Sequence, residues 1–93
     1  MRLDPQTHAV RRDLADVRLA DRVFAPHYAA PALRTLARAA LLKSGRESAD
    51  EQLAQLAAGE PFELLELAGD QAWGVAPAQG LVGYLDADAL APA

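Results

Sequence analysis

The sequence predicts a small all-β domain, a twisted sheet curled into a barrel behind an N-terminal extension. Three observations point to it. First, the back half consists of short apolar runs, PFELLEL, AWGV and LVGYL, separated by Gly69-Asp70 and by Pro77-Ala78-Gln79-Gly80, which is strand–turn–strand punctuation. Second, each run is too short to bury a useful helical face, whereas a small sheet that curls can bury both of its faces. Third, 93 residues with 52% apolar content suffice for one core and leave no room for a second domain.

Taken in chain order, residues 1–12 are polar, include Pro5 and show neither periodicity, so they read as a flexible arm whose loss costs little stability. Asp13 followed by Leu14, Ala15 and Val17 suggests a cap and one turn of helix before Arg18. Arg22-Val23-Phe24-Ala25 fits a short strand, and Pro26 and Pro31 forbid a helix through residues 20–32. By composition, ALRTLARAALL at residues 32–42 reads as helix, as does Glu51–Ala58 with its glycine stop at Gly59. After Gly59 come the three strands, in which Phe62, Leu64 or Leu65, Leu67, Trp73, Val75, Val82, Tyr84 and Leu90 supply most of the core. Asp86–Leu90 fits a short 3₁₀ or α turn that pins Leu90 into the barrel end.

Charge and composition exclude several functions. Nine Lys and Arg against thirteen Asp and Glu leave a net charge of −4, a poor match for nucleic acid, whose binding rests on cationic side chains releasing counterions. No Lys or Arg follows Arg46; the cations of the front half serve solubility or an intramolecular docking face. The absence of cysteine removes disulfides, a thiol nucleophile and thiolate metal ligands. The opening MRLDPQTHAVRRD lacks the apolar core of a secretory signal, and no run approaches the roughly 18–20 apolar residues of a membrane span. The expectation is a cytoplasmic chain with no membrane partner and no cofactor.

Gly59-Glu60, an apolar strand, Gly69, Trp73-Gly74, Gly80, Val82-Gly83-Tyr84-Leu85 and Ala89-Leu90 together resemble the bacterial SH3 domain. In its usual pattern a glycine precedes one strand, a Gly-Trp pair opens the next, and a Gly-Trp-Val or Gly-Tyr-Val element closes the third. The stretch from Asp13 to Phe24 resembles the segment leading into the SH3 domain of NlpC/P60-type peptidases. These are cysteine peptidases that cut cell-wall peptides, commonly between γ-D-glutamate and a diamino acid. The resemblance implies an SH3-like barrel over residues 32–91, a lead segment over 13–31 packing on it, and the arm 1–12. It also implies that 32–42 and 51–58 are strands in spite of their composition, with 43–50 a polar loop between them. The family's catalytic domain, with its Cys nucleophile and His base, is expected as a C-terminal partner beyond the Ala91-Pro92-Ala93 end. Where many relatives carry an aromatic residue between the turn glycine and the Gly-Tyr element, this chain has Leu81.

The candidate ligand-binding residues are Tyr84, Trp73, Tyr28 and Leu81. Trp73, the sole tryptophan, and Tyr84 admit two readings, a ligand surface or rim packing with their polar atoms satisfied, and packing is the commoner. His27-Tyr28, between Pro26 and Pro31, reads as an extended surface segment that touches a peptide or clamps the lead segment to the barrel. His8 and His27 are isolated and make no metal site. Glu63, Glu66, Asp86 and Asp88 read as solvated charges, since an acid–base pair needs a cleft that separates two carboxyl pKa values. No catalytic residue is assigned.

The function expected on these grounds is a non-catalytic domain that positions or recognises cell-wall peptide for an NlpC/P60-type catalytic domain outside this chain. A general protein-interaction or dimerisation module is the alternative, through polyproline recognition or exposed strand edges. A free-standing enzyme is disfavoured because nucleophile, base and orienting group are nowhere assembled.

Overall fold

The computed structural model describes residues 7–11, 13–21, 24–46 and 50–91. Among the described residues eight strands succeed one another: β1 (Leu14–Asp16), β2 (His27–Ala29), β3 (Ala32–Thr35), β4 (Ala40–Lys43), β5 (Gln52–Leu56), β6 (Pro61–Ala68), β7 (Gln71–Ala76) and β8 (Leu81–Asp86). Strands β3 to β8 form one antiparallel sheet in the order β3-β6-β7-β8-β4-β5, and β1 and β2 pair in parallel as a separate ribbon. The all-β expectation holds.

The two helix-like segments are strands. Residues 32–42 divide into β3 and β4 around a bend, and β5 lies within 51–58. The override has a visible cause. Leu36, Leu42 and Leu56 are buried together with Phe62 and Leu85 in a single apolar cluster, and burial of this kind exceeds the few tenths of a kcal/mol per residue by which Ala and Leu favour helix (roughly,). Because Leu56 on the edge strand β5 and Phe62 near the other edge share that cluster, the sheet must curl strongly. A bridge between Leu36 and Leu90 and the bond from the Ala91 N–H to the Thr35 carbonyl (2.8 Å) fasten the C-terminal segment beside β3. Leu90 is buried behind a 3₁₀ turn at Ala87–Ala89, as expected.

Alternation assigns the two faces. Ala72 and Ala76 on β7 and Leu85 on β8 point inward, while Trp73, Val75, Val82 and Tyr84 point outward. The curl brings β6 so close to β7 that a Cβ on Gly74 would lie 2.1 Å from the Glu63 carbonyl oxygen. Strand β6 breaks the alternation: its pairing with β7 slips between Leu64 and Glu66, so that Glu63 faces Val75 and Glu66 faces Trp73. The expected core therefore needs correcting at Leu67, which is 57% exposed. A regular two-residue period cannot be carried through a bulge.

The front of the chain departs most from expectation. Asp13–Val17 is not a helical turn: β1 occupies Leu14–Asp16 and a 3₁₀ turn follows at Val17–Leu19, with Asp16 as its cap accepting from the Arg18 N–H at 2.9 Å. Arg22 and Val23 lie outside the described residues, and Phe24 and Ala25 are irregular rather than strand. Of the arm, residues 1–6 and 12 lie outside the described residues, but Ala9 is buried and Val10 bridges Ala15. The bonds from Arg11 N–H to the Leu14 carbonyl (2.7 Å) and from Asp16 N–H to the Ala9 carbonyl (2.9 Å) fold residues 9–16 back on themselves. Residues 9–11 are thus part of the fold, and the expectation that their loss costs little is withdrawn for them.

Candidate functional site

The outer face of β6, β7 and β8 carries an apolar patch of Trp73, Val82, Val75, Leu65 and Tyr84, over which Ala9 and Leu14 pack. Trp73 and Tyr84 are direct cross-strand partners, and their ring centroids lie 6.5 Å apart with planes tilted by 41°. The separation lies within the roughly 4.5–7 Å of aromatic contact, with the rings tilted between stacked and edge-to-face. Trp73 is only 3% exposed, because the N-terminal segment covers it.

Two arginines fix that cover. Arg11 lays its guanidinium 4.5 Å from the Trp73 ring centroid. It donates to Glu66 Oε1 at 2.7 Å and to the Tyr84 hydroxyl at 3.2 Å, and forks onto Asp13 at 3.1 and 3.0 Å. Arg18 donates to Asp16 and to both oxygens of Glu63, at 2.8 and 3.3 Å. Glu63 and Glu66 are three residues apart and in a regular strand would face opposite ways; the bulge turns both outward, where they receive Arg18 and Arg11. Their reading as solvated charges is corrected accordingly. Asp86 and Asp88 have partners too, Asp86 accepting from Gln71 Nε2 at 2.8 Å and Asp88 pairing with Arg38.

These contacts bias protonation. Burial works against the charge on Arg11, but the hydrogen bonds to Glu66, Asp13 and Tyr84 outweigh it and raise its pKa above the ordinary arginine value. Hydrogen bonding to Asp16 and Glu63 raises that of Arg18. The bond from Arg11 holds the Asp13 carboxyl below the usual aspartate value. In each case the pairing favours the charged form.

Of the four residues singled out from sequence, Trp73 and Tyr84 share this site and the other two do not. Leu81 lies on the inward side of β8, packed against the main core, since it is an odd number of residues from Val82 and Tyr84. Tyr28 is on β2, where its hydroxyl accepts from the Ala25 N–H at 3.0 Å. Arg11 and Arg46 belong to the site without having been assigned to it from sequence, and Glu66, read there as a solvated charge, belongs to it as well. Arg46, from the loop after β4, lies 5.8 Å from the Tyr84 ring centroid and 3.6 Å from Glu66. The bulge brought in Glu66 and the folded-back arm Arg11, and neither leaves a local sequence pattern. A cavity of about 220 Å³ opens beside Arg11, between Val10, Ser44, Val82 and the two rings.

Among the described residues no group of three His, Cys, Asp or Glu could hold a metal ion, and no helix is long and apolar enough to cross a membrane. Residues 44–90 match the family model described as the bacterial dipeptidyl-peptidase SH3 domain. No curated protein and no solved structure matches the chain. The matched stretch contains every strand from β5 to β8, with Trp73, Tyr84, Glu66 and Arg46; the segment bearing Arg11 lies before it.

Proposed function

The chain belongs to the bacterial dipeptidyl-peptidase SH3 domain family, and from that premise we propose that it is the accessory domain of an NlpC/P60-type endopeptidase, holding a cell-wall peptide where a separate catalytic domain can cut it. The observation that carries the reading is the pairing of Trp73 with Tyr84 on one face of the matched region. Trp73 lies under the N-terminal segment and the Tyr84 hydroxyl is taken by Arg11; with that cover displaced, the two rings offer a short peptide apolar area together with a hydroxyl to orient it. The arrangement supplies binding and positioning, and the bond-breaking groups belong to the partner domain.

A peptide containing a γ-D-glutamyl-diamino acid unit is the direct test. Its addition is expected to shift the amide resonances of Trp73 and Tyr84, either in this chain or in a longer polypeptide that also carries the peptidase domain. Unchanged spectra in both would defeat the reading.

A further inference from the structure

Arg11 is held as a ligand would be held. One face of its guanidinium rests on the Trp73 ring, and its N–H groups are taken by Glu66, Asp13 and the Tyr84 hydroxyl. An aromatic floor walled by carboxylates selects a guanidinium or ammonium over a neutral or anionic group. A second, independent cation approaches the same groups, Arg46 lying over Tyr84 and near Glu66. The 220 Å³ cavity beside Arg11 gives an incoming side chain an entrance to the rings.

We propose that Trp73, Tyr84, Glu66 and Asp13 form a cation cage whose resident occupant is Arg11, and that a peptide bearing a guanidinium or primary ammonium group competes with Arg11 for it. The chain's own arginine sets the chemistry of the ligand. Tethering also gives Arg11 an effective concentration of order millimolar, so a free ligand binds the intact chain weakly and gains affinity once Arg11 is removed. If the accessory-domain reading is right, the diamino acid of a cell-wall peptide supplies the ammonium; the cage itself stands without that reading.

Trp73 is the sole tryptophan, so its fluorescence reports on the cage directly. N-acetyl-arginine amide and N-acetyl-lysine amide are titrated into the intact chain and into Arg11→Ala, with N-acetyl-glutamate amide as the control. The expected result is a saturable change with the two cations. Half-saturation falls at roughly tenfold lower concentration in Arg11→Ala and is weakened roughly tenfold when Glu66→Gln is added. Arg11→Gln, which keeps the stem of the side chain and an amide donor, replaces Arg11→Ala should the latter fail to fold, and the intact chain at higher probe concentration needs neither. Absence of a saturable change in a folded variant, or an equal response to glutamate amide, overturns the cage. That result leaves the accessory-domain reading to its own peptide titration.

Discussion

The inner and outer faces of the six-stranded sheet are buried by different means. The inner face is buried by apolar packing: Phe62, Leu42, Leu56 and Leu85 are fully buried in a cluster drawn from the sheet together with Leu36 and, from the C-terminal turn, Ala89 and Leu90. The outer face of β6–β8 is covered by a segment from outside the sheet, and at its margins Arg11 and Arg18 bond Glu66 and Glu63. Apolar burial is non-directional and scales with area, so the inner face can build the fold. Ion pairs near the surface contribute little net stability but fix geometry and partner choice. The difference teaches that the face carrying the candidate site is also the one whose cover could be exchanged.

The comparison breaks most readily from the inside. Phe62→Ala empties the centre of the inner cluster and should cost about 3–5 kcal/mol, a large part of the roughly 5–15 kcal/mol available to a small domain. Denaturant titration should show that loss, and a cost below about 1 kcal/mol would mean that the inner face does not dominate. Gly74→Ala tests the tightness of the curl, since its Cβ would meet the Glu63 carbonyl oxygen at 2.1 Å. A cost of about 1–3 kcal/mol is expected as β6 is pushed away, with loss of the Trp73–Tyr84 geometry as a second sign.

The outer face should respond differently. Arg18→Ala leaves the buried Asp16 carboxylate and Glu63 without their guanidinium, at a cost of about 1–3 kcal/mol. Hydrogen exchange should quicken over residues 9–20 while the amides of β7 and β8 stay protected; equal loss in both regions would erase the distinction between the faces. Arg11→Ala should cost less, about 1 kcal/mol, because Arg46 already lies 3.6 Å from Glu66. Its signature is a red-shifted Trp73 emission as the ring loses its cover.

The strands after Gly59 were legible in the sequence, but their two faces were not told apart: the expected core held Phe62, Leu64 and Leu90 of the inner cluster together with Trp73, Val75, Val82 and Tyr84 of the outer face. Turn glycines with positive φ at Gly69 (61°) and Gly80 (67°) punctuate β6, β7 and β8 where the apolar runs end, so these strands and their turns were visible. Composition favoured helix at Leu36, Leu42 and Leu56; only the family pattern indicated strand, because their burial depends on contacts far along the chain. The site was half visible. Trp73 and Tyr84 stand out as residue types, while Leu81 was misplaced by one step of the two-residue period. Glu66 faces Arg11 only because of a bulge, and Arg11 reaches Trp73 only because residues 9–16 double back. Neither event has a composition.

Acid gives the gentlest probe of the outer face. Asp13 is exposed, and its carboxyl is held below the ordinary value of 3.8 by the bond from Arg11. A group whose pKa is lower in the folded than in the unfolded chain contributes stability that is fully present above the unfolded value and is lost as pH falls through the folded one. Arg11 and Arg18 are raised instead, so their contribution is present below the unfolded arginine value and is lost only in strong alkali. Trp73 emission should therefore stay flat from neutral pH into mild alkali and begin to shift below about pH 4. Many carboxylates titrate there, so the decisive comparison is with Asp13→Asn, which lacks the charge at every pH. The two chains should converge as acid neutralises Asp13 and differ slightly above that window, by an amount that shrinks with added salt. A difference that grew toward low pH would mean that Asp13 does not help to hold Arg11 over the ring.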